Sequence, residues 1–216
     1  MSVFPRSLGC VSEDRVYGGR AVADRRRDRR ERFLAAAVEL FGTQGYAGTS
    51  VPQVCRAAGL STRQFYQEFS DREHLLRTLY DRLQDRSMAQ VSERVLERIA
   101  AGDGIDAVLD AGVRAFLAVY DDPLPARVNF IEVVGVSPAF EEHRHANRAR
   151  WGELLQTAAQ AGAARGLPLT SATPLQWAAY IGAVNAVIVE RTLDPSITED
   201  ALLHAMRTLL RPGILG

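Results

Sequence analysis

Apolar residues recur every three or four positions from Arg25 almost to the end of this chain, which is the spacing of amphipathic α-helices. No segment alternates apolar and polar residues with a period of two, and no Asn-Gly or Asp-Gly pair marks a β-hairpin. The pattern therefore predicts an all-α fold of nine helices without a strand.

Capping residues set the predicted limits of the helices. The first helix is expected at about Arg25–Thr43. Three pairs have the spacing of capping boxes and are expected to open the next three helices: Ser50 with Gln53, Ser61 with Gln64, and Ser70 with Glu73. Five further helices are expected at about 105–120, 126–134, 138–165, 174–193 and 198–210.

Composition excludes several classes of protein. Two cysteines in 216 residues exclude a disulfide scaffold, and without a membrane span or a secretory pattern we expect a cytoplasmic protein with no membrane partner. All 26 basic residues are arginine, and without lysine neither Schiff-base chemistry nor a P-loop is possible. Because G-x-S-x-G, H-E-x-x-H, C-x-x-C and G-x-G-x-x-G are also absent, no catalytic residue, metal or cofactor is expected.

The net charge of zero hides an asymmetry along the chain. Residues 1–70 contain eleven arginines and seven acidic residues, and most of this excess lies in Arg20–Arg32. Residues 1–23, which lack an apolar period, are predicted to form a mobile basic tail. Cations near a helix N-terminus oppose the helix dipole, so local helix stability does not explain why the arginines lie there. Contact with the phosphates of an anionic partner is one explanation for their position. A solvated tail without contacts is the alternative.

Residues 50–69 predict a helix-turn-helix, two short helices joined at a glycine turn. In this motif the N-terminal residues of the second helix reach base edges in the major groove. Arg63 could pair with guanine and Gln64 with adenine. Tyr66 and Gln67 are expected to face outward, where the Tyr66 hydroxyl would donate to a phosphate. An ordinary helical hairpin is the alternative to this interpretation.

The stretch from Arg30 to Leu76 resembles the N-terminal DNA-binding domain of the tetracycline-repressor (TetR) family. The resemblance lies in the segments RFLAAAVELF, GYAGTSV, VCRAAGLS, FYQEF and DREHLL. It implies a DNA-binding domain of residues 24–72 that binds double-stranded operator DNA, followed by a helical effector-binding and dimerisation domain of residues 73–216. The predicted DNA contacts are Arg29, Thr49, Ser50, Ser61, Thr62, Arg63, Gln64, Tyr66, Gln67 and Arg72.

The stretch Trp177–Val189 carries no charge, so its helix is predicted to be buried on every side. The resemblance implies that the last two helices pair with those of a second copy as a four-helix bundle. The protein is therefore expected to be a homodimer. A central core helix of a monomer is the alternative.

Aromatic and polar residues on inward-facing helices suggest a ligand cavity in the second domain. The predicted lining residues are Phe116, Tyr120, Asn129, Phe130, Asn147, Trp151, Trp177 and Tyr180. The resemblance implies that a small apolar or amphipathic effector binds there and releases DNA. We therefore expect a ligand-responsive transcriptional regulator, more readily a repressor than an activator. A constitutive DNA-binding regulator of the same fold is the alternative.

Overall fold

The computed structural model describes residues 14–169 and 172–214, with side chains over residues 22–169 and 172–210. Within these ranges the chain forms nine α-helices and a π-helical turn, and no β-strand, which confirms the all-α prediction. The helices are α1 (Asp14–Gln44), α2 (Val51–Ala58), α3 (Thr62–Glu68), α4 (Arg72–Ala101), α5 (Ile105–Val119), α6 (Pro123–Arg127), α7 (Pro138–Ala163), α8 (Pro174–Leu193) and α9 (Glu199–Ile214). The π-helical turn covers Val128–Glu132.

The first helix begins earlier than the sequence pattern predicts. It starts at Asp14 instead of near Arg25, so residues 14–23 of the predicted tail are helical, and residues 1–13 lie outside the described part of the chain. Once a helix is nucleated, each added residue gains a hydrogen bond at little further cost. This extension tolerates Gly18 and Gly19, although each glycine costs about 1 kcal/mol relative to alanine.

Two other boundaries also differ from the prediction. Asp71 instead of Ser70 caps α4, because its carboxylate accepts the backbone N–H of His74 at 2.7 Å. That hydrogen bond is the main reason why the pKa of Asp71 lies below its usual value. The single helix predicted at 126–134 is divided into α6 and the π-helical turn.

A small core of aromatic rings joins the first three helices. Phe33 of α1 and Phe65 of α3 are fully buried and meet edge to face, with ring centroids 5.4 Å apart. Phe69 packs edge to face on Phe33 at 6.0 Å. Leu75 and Leu76, near the start of α4, are also fully buried in this core. We call α1–α3 together with the beginning of α4 the head.

The rest of α4 through α9 forms a second layer of helices, which we call the body. Here α4 packs on α5 and α7, while α9 packs on α5 and α8. Since α4 belongs to both parts, the head and the body share one continuous helix. No described helix is long and apolar enough to cross a membrane.

Candidate DNA-binding surface and ligand cavity

The outer face of α3 is exposed, as the helix-turn-helix interpretation requires. Thr62, Arg63, Tyr66 and Gln67 all face solvent, and the side chain of Tyr66 is 58% exposed. Arg63 forms no ion pair or hydrogen bond with any residue that the structure describes. Its guanidinium is therefore available for an external partner.

Two predicted DNA contacts, Ser61 and Gln64, form the N-terminal cap of α3. The Ser61 backbone N–H donates to Gln64 Oε1 at 2.9 Å, and the Gln64 backbone N–H donates to Ser61 Oγ at 3.2 Å. A bidentate pair with adenine would need the amide oxygen of Gln64 that this cap uses. In this conformation Gln64 stabilises the helix end, while its amide nitrogen remains available.

Ser50 and Thr49 lie at the start of α2 and differ in exposure. Ser50 is exposed, and its backbone N–H donates to Gln53 Oε1 at 2.8 Å in the predicted capping box. Thr49 is only 1% exposed, and its hydroxyl donates to the Gly45 carbonyl at 2.8 Å. The side chain of Thr49 is thus enclosed by the turn in this conformation, and its predicted contact with DNA remains a prediction.

Arg72, a predicted phosphate contact, has partners inside the head in this conformation. Its guanidinium donates to the carbonyl oxygens of Tyr46 and Thr49 and lies 4.1 Å above the centre of the Tyr46 ring. These contacts fasten the first turn of α4 to the turn between α1 and α2.

Arginines of α1 have partners inside the head, which the sequence argument did not anticipate. The carboxylate of Glu68 is fully buried and accepts from Arg26 Nε at 3.2 Å and from a terminal nitrogen of Arg29 at 2.9 Å. Arg30 donates to the Glu68 carbonyl and stacks on Phe69. The Arg29 side chain thus fixes the end of α3 to α1, and its predicted phosphate contact remains a prediction.

We expect Glu68→Gln to destabilise the head by about 2–3 kcal/mol. This lies below the roughly 3–5 kcal/mol that follows loss of one partner from a fully buried ion pair, because Arg26 remains two-thirds exposed. Glu97→Gln, which removes an exposed pair with Arg94, is the matched control and should cost about 0–1 kcal/mol. Urea unfolding measures both variants. Equal effects would mean that the Glu68 cluster contributes no more than a surface pair.

The body encloses a cavity of about 190 Å³ between α4, α5, α7, α8 and the π-helical turn. Seven of the eight predicted residues line it: Phe116, Asn129, Phe130, Asn147, Trp151, Trp177 and Tyr180. Tyr120 does not line the cavity. It packs behind Phe116 and Phe130, and its hydroxyl lies 3.1 Å from Ser87 Oγ. Burial raises the pKa of Tyr120, so its hydroxyl remains protonated.

Buried hydrogen bonds connect α4 to α7 along one side of the cavity. Asn147 Nδ2 donates to the Tyr80 hydroxyl at 3.2 Å, and Trp151 Nε1 donates to Gln84 Oε1 at 2.6 Å. Sequence reasoning missed Tyr80 and Gln84. The signal was nonetheless present, since these polar residues lie four apart on the apolar face of α4.

The π-helical turn contacts both the cavity and the head. Asn129 and Phe130 line the cavity. Glu132 follows three residues after Asn129, and its carboxylate accepts a hydrogen bond from the Tyr46 backbone N–H at 2.7 Å. The other oxygen of Glu132 accepts from Arg127 at 2.9 Å. Gly45 has a φ of +84°, and a Cβ there would lie only 3.1 Å from Glu132 Oε2. A glycine thus permits this close contact between the head and the body.

The arrangement defines the class of two-part, all-α helix-turn-helix proteins, and comparison with known proteins shows which family the head resembles. Residues 33–79 match the family described as bacterial regulatory proteins, tetR family. The HTH-type transcriptional regulator HbdR of Aromatoleum sp. (strain CIB) is 41% identical over 49 residues, which are 23% of this chain and 21% of that protein. The match thus spans about a fifth of the length of this curated relative.

Solved structures share the whole fold. The transcriptional regulator FadR from Bacillus subtilis, solved in complex with stearoyl-CoA, has a TM-score of 0.68 and 17% identity, covering 85% of this chain and 97% of its own. A putative TetR-family transcriptional regulator from Rhodococcus sp. has a TM-score of 0.68 and 21% identity, covering 87% and 99%. At these identities the likeness concerns the fold alone. The head is therefore similar in sequence to the tetR family, and the chain as described shares the fold of these solved structures.

Proposed function

We propose that this protein is a homodimeric transcriptional repressor that binds a palindromic operator and is released from it by a small amphipathic effector. The contact between Glu132 and Tyr46 carries this proposal, because it joins the turn that lines the cavity to the head. The exposed face of α3 would read DNA through Thr62, Arg63 and Gln67, with Tyr66 on a phosphate.

An exposed stripe on α8 supports the homodimer. Leu175, Ala179, Gly182, Ala186 and Leu193 follow one another at intervals of three, four or seven residues, and all are exposed in the single chain. The exposed fractions are 81% at Leu175 and 68% at Leu193. Apolar and small residues in such a row are typical of a helix face that packs closely on another helix. A second copy of this chain would cover the stripe.

The cavity and its connection to the head support regulation by an effector. A ligand that displaces Asn129 would also displace Glu132 and hence the Tyr46 turn, since the three lie on one short path. FadR, which shares this fold, was solved with a long acyl thioester bound. The fold can therefore accommodate an amphipathic ligand. Coupling of this kind shifts a population between DNA-binding and released states.

DNA binding can be tested by selecting duplexes from a random pool and comparing the enriched duplex with a scrambled one by fluorescence anisotropy. We expect Arg63→Ala to weaken binding of the selected duplex by about 1–3 kcal/mol and to relax preference at one base pair per half-site. Tyr66→Phe should weaken both duplexes alike, by about 0.5–1.5 kcal/mol, because a phosphate contact carries no base information. If no sequence is enriched, the proposed function is wrong.

A further inference from the structure

The hydrogen bonds beside the cavity fix the orientation of two side-chain amides. The indole N–H of Trp151 can only donate, so the atom of Gln84 that faces it, at 2.6 Å, must be the amide oxygen. The Gln84 amide nitrogen therefore points to Asn129 and donates to Asn129 Oδ1 at 3.1 Å. Asn129 must then present its own amide nitrogen away from Gln84.

That nitrogen, Asn129 Nδ2, is a buried donor without a partner among the residues that the structure describes. Asn129 as a whole is 2% exposed and belongs to the cavity lining. A buried donor without an acceptor is unfavourable, so a ligand that supplies an acceptor gains free energy on binding. The cavity thus favours a ligand with a carbonyl or carboxylate oxygen at this point.

The charges of the lining add a second requirement. Two arginines, Arg144 and Arg148, line the cavity, and no acidic side chain does so within the described part of the chain. The Glu141 carboxylate forms an ion pair with Arg144 at 2.7 Å, whereas Arg148 is half-buried, forms no ion pair with a described acidic residue and interacts with Glu141 only at longer range. The two arginines thus share one nearby carboxylate, which leaves an excess of one positive charge beside a largely apolar space.

From this geometry we propose, resting on the function proposed above, that the effector is a small organic anion. Its apolar part lies between Phe116, Phe130 and Trp151, its oxygen accepts from Asn129 Nδ2, and its negative charge lies near Arg148. A cavity of 150 Å³ holds benzene, so about 190 Å³ corresponds to a single ring or a short chain. This chemistry is shared by free carboxylates and by thioesters of an anionic carrier.

Matched probes test the ligand class without DNA. Trp151 and Trp177 are the only tryptophans of the chain, and both line the cavity, so their fluorescence reports binding. Phenylbutyrate and octanoate are compared with phenylbutanol and octanol, which have the same apolar parts but no charge. We expect the anions to bind roughly tenfold more tightly than the alcohols. Octanoyl-coenzyme A distinguishes free carboxylates from thioesters. Whichever of octanoate and octanoyl-coenzyme A binds more tightly identifies the form that the protein recognises.

Variants of Arg148 and Asn129 test the two proposed contacts, and each residue has a control variant. Arg148→Gln should weaken anion binding roughly tenfold and leave the alcohols unchanged, whereas Arg86→Gln, at an exposed position of α4, should change neither. Asn129→Asp retains the oxygen that accepts from Gln84 but replaces the amide NH2 group by a negatively charged carboxylate oxygen. This variant should therefore abolish anion binding. Asn129→Leu removes the donor without adding charge and should weaken the binding of anions and of alcohols roughly tenfold. Asn185→Leu, at a lining position of α8, is the control and should change both affinities less.

Several results would overturn this proposal. Alcohols that bind as tightly as the anions would remove the charge requirement, and an Asn129→Leu variant that binds like the wild type would remove the anchor. If no anion changes the fluorescence while the protein still selects a DNA sequence, the ligand class is wrong and the DNA-binding function stands. Thermal unfolding of each variant confirms that a lost signal reflects binding and not loss of fold.

Discussion

Gly182→Glu combined with Ala186→Glu is expected to convert the protein to monomers and to weaken operator binding roughly 100-fold or more. Both positions lie in the exposed stripe of α8, so in the proposed dimer each glutamate would be buried without a partner. Within the single chain a Cβ at Gly182 meets no atom within 4 Å, so the substitution causes no clash in the fold itself. Light scattering at micromolar concentration measures the change in mass.

The control for this experiment adds a glutamate at an exposed position elsewhere. Ala89→Glu lies at an exposed position of α4 outside the stripe and should leave both the mass and the DNA affinity unchanged. A wild-type protein that scatters as a monomer would contradict the proposed homodimer. A dimer that persists in the double variant would place the interface on another face.

Glu132→Ala is expected to uncouple DNA binding from ligand binding, so that ligand no longer weakens operator binding. The variant removes the acceptor that ties the Tyr46 turn to the π-helical turn and leaves Arg127 without its ion pair. We expect it to cost about 1–3 kcal/mol of folding stability. The effect of ligand on operator affinity should fall from the usual range of roughly 5–150-fold to about twofold or less. Anisotropy titrations with and without the saturating anion measure this factor.

Glu199→Ala is the matched control for the coupling variant. Glu199 pairs with Arg114 at 3.0 Å, so it also joins two helices, but both belong to the body. Its removal should leave the coupling unchanged. If Glu132→Ala retains full coupling, the signal reaches the head by another path, such as the continuous helix α4.

The sequence predicts the helices and the cavity well because both depend on local patterns. Apolar spacing and capping boxes are set by residues three or four apart, and Ser61/Gln64 is indeed a capping box in the structure. Seven of the eight residues that were predicted from inward-facing positions line the cavity. The start of α1 was missed, because no local signal distinguishes a charged helix without an apolar face from a tail.

The DNA-binding surface is predicted less well, because several of its residues have partners that are distant in sequence. Arg29 pairs with Glu68 across 39 positions, and Arg72 contacts the Tyr46 carbonyl across 26. A positive charge near a helix-turn-helix looks the same in sequence whether it faces a phosphate or a buried carboxylate. For the same reason the contact of Glu132 with the head, across 86 positions, has no sequence signal.

Reciprocal coupling between the cavity and DNA is the most direct test of the account. The affinity of the selected duplex is measured with and without a saturating anion, and the affinity of that anion is measured with and without the duplex. We expect the anion to weaken duplex binding, and the duplex to weaken anion binding, by the same factor of roughly 5–150. An anion that saturates the fluorescence of Trp151 and Trp177 but leaves the duplex affinity unchanged would contradict it.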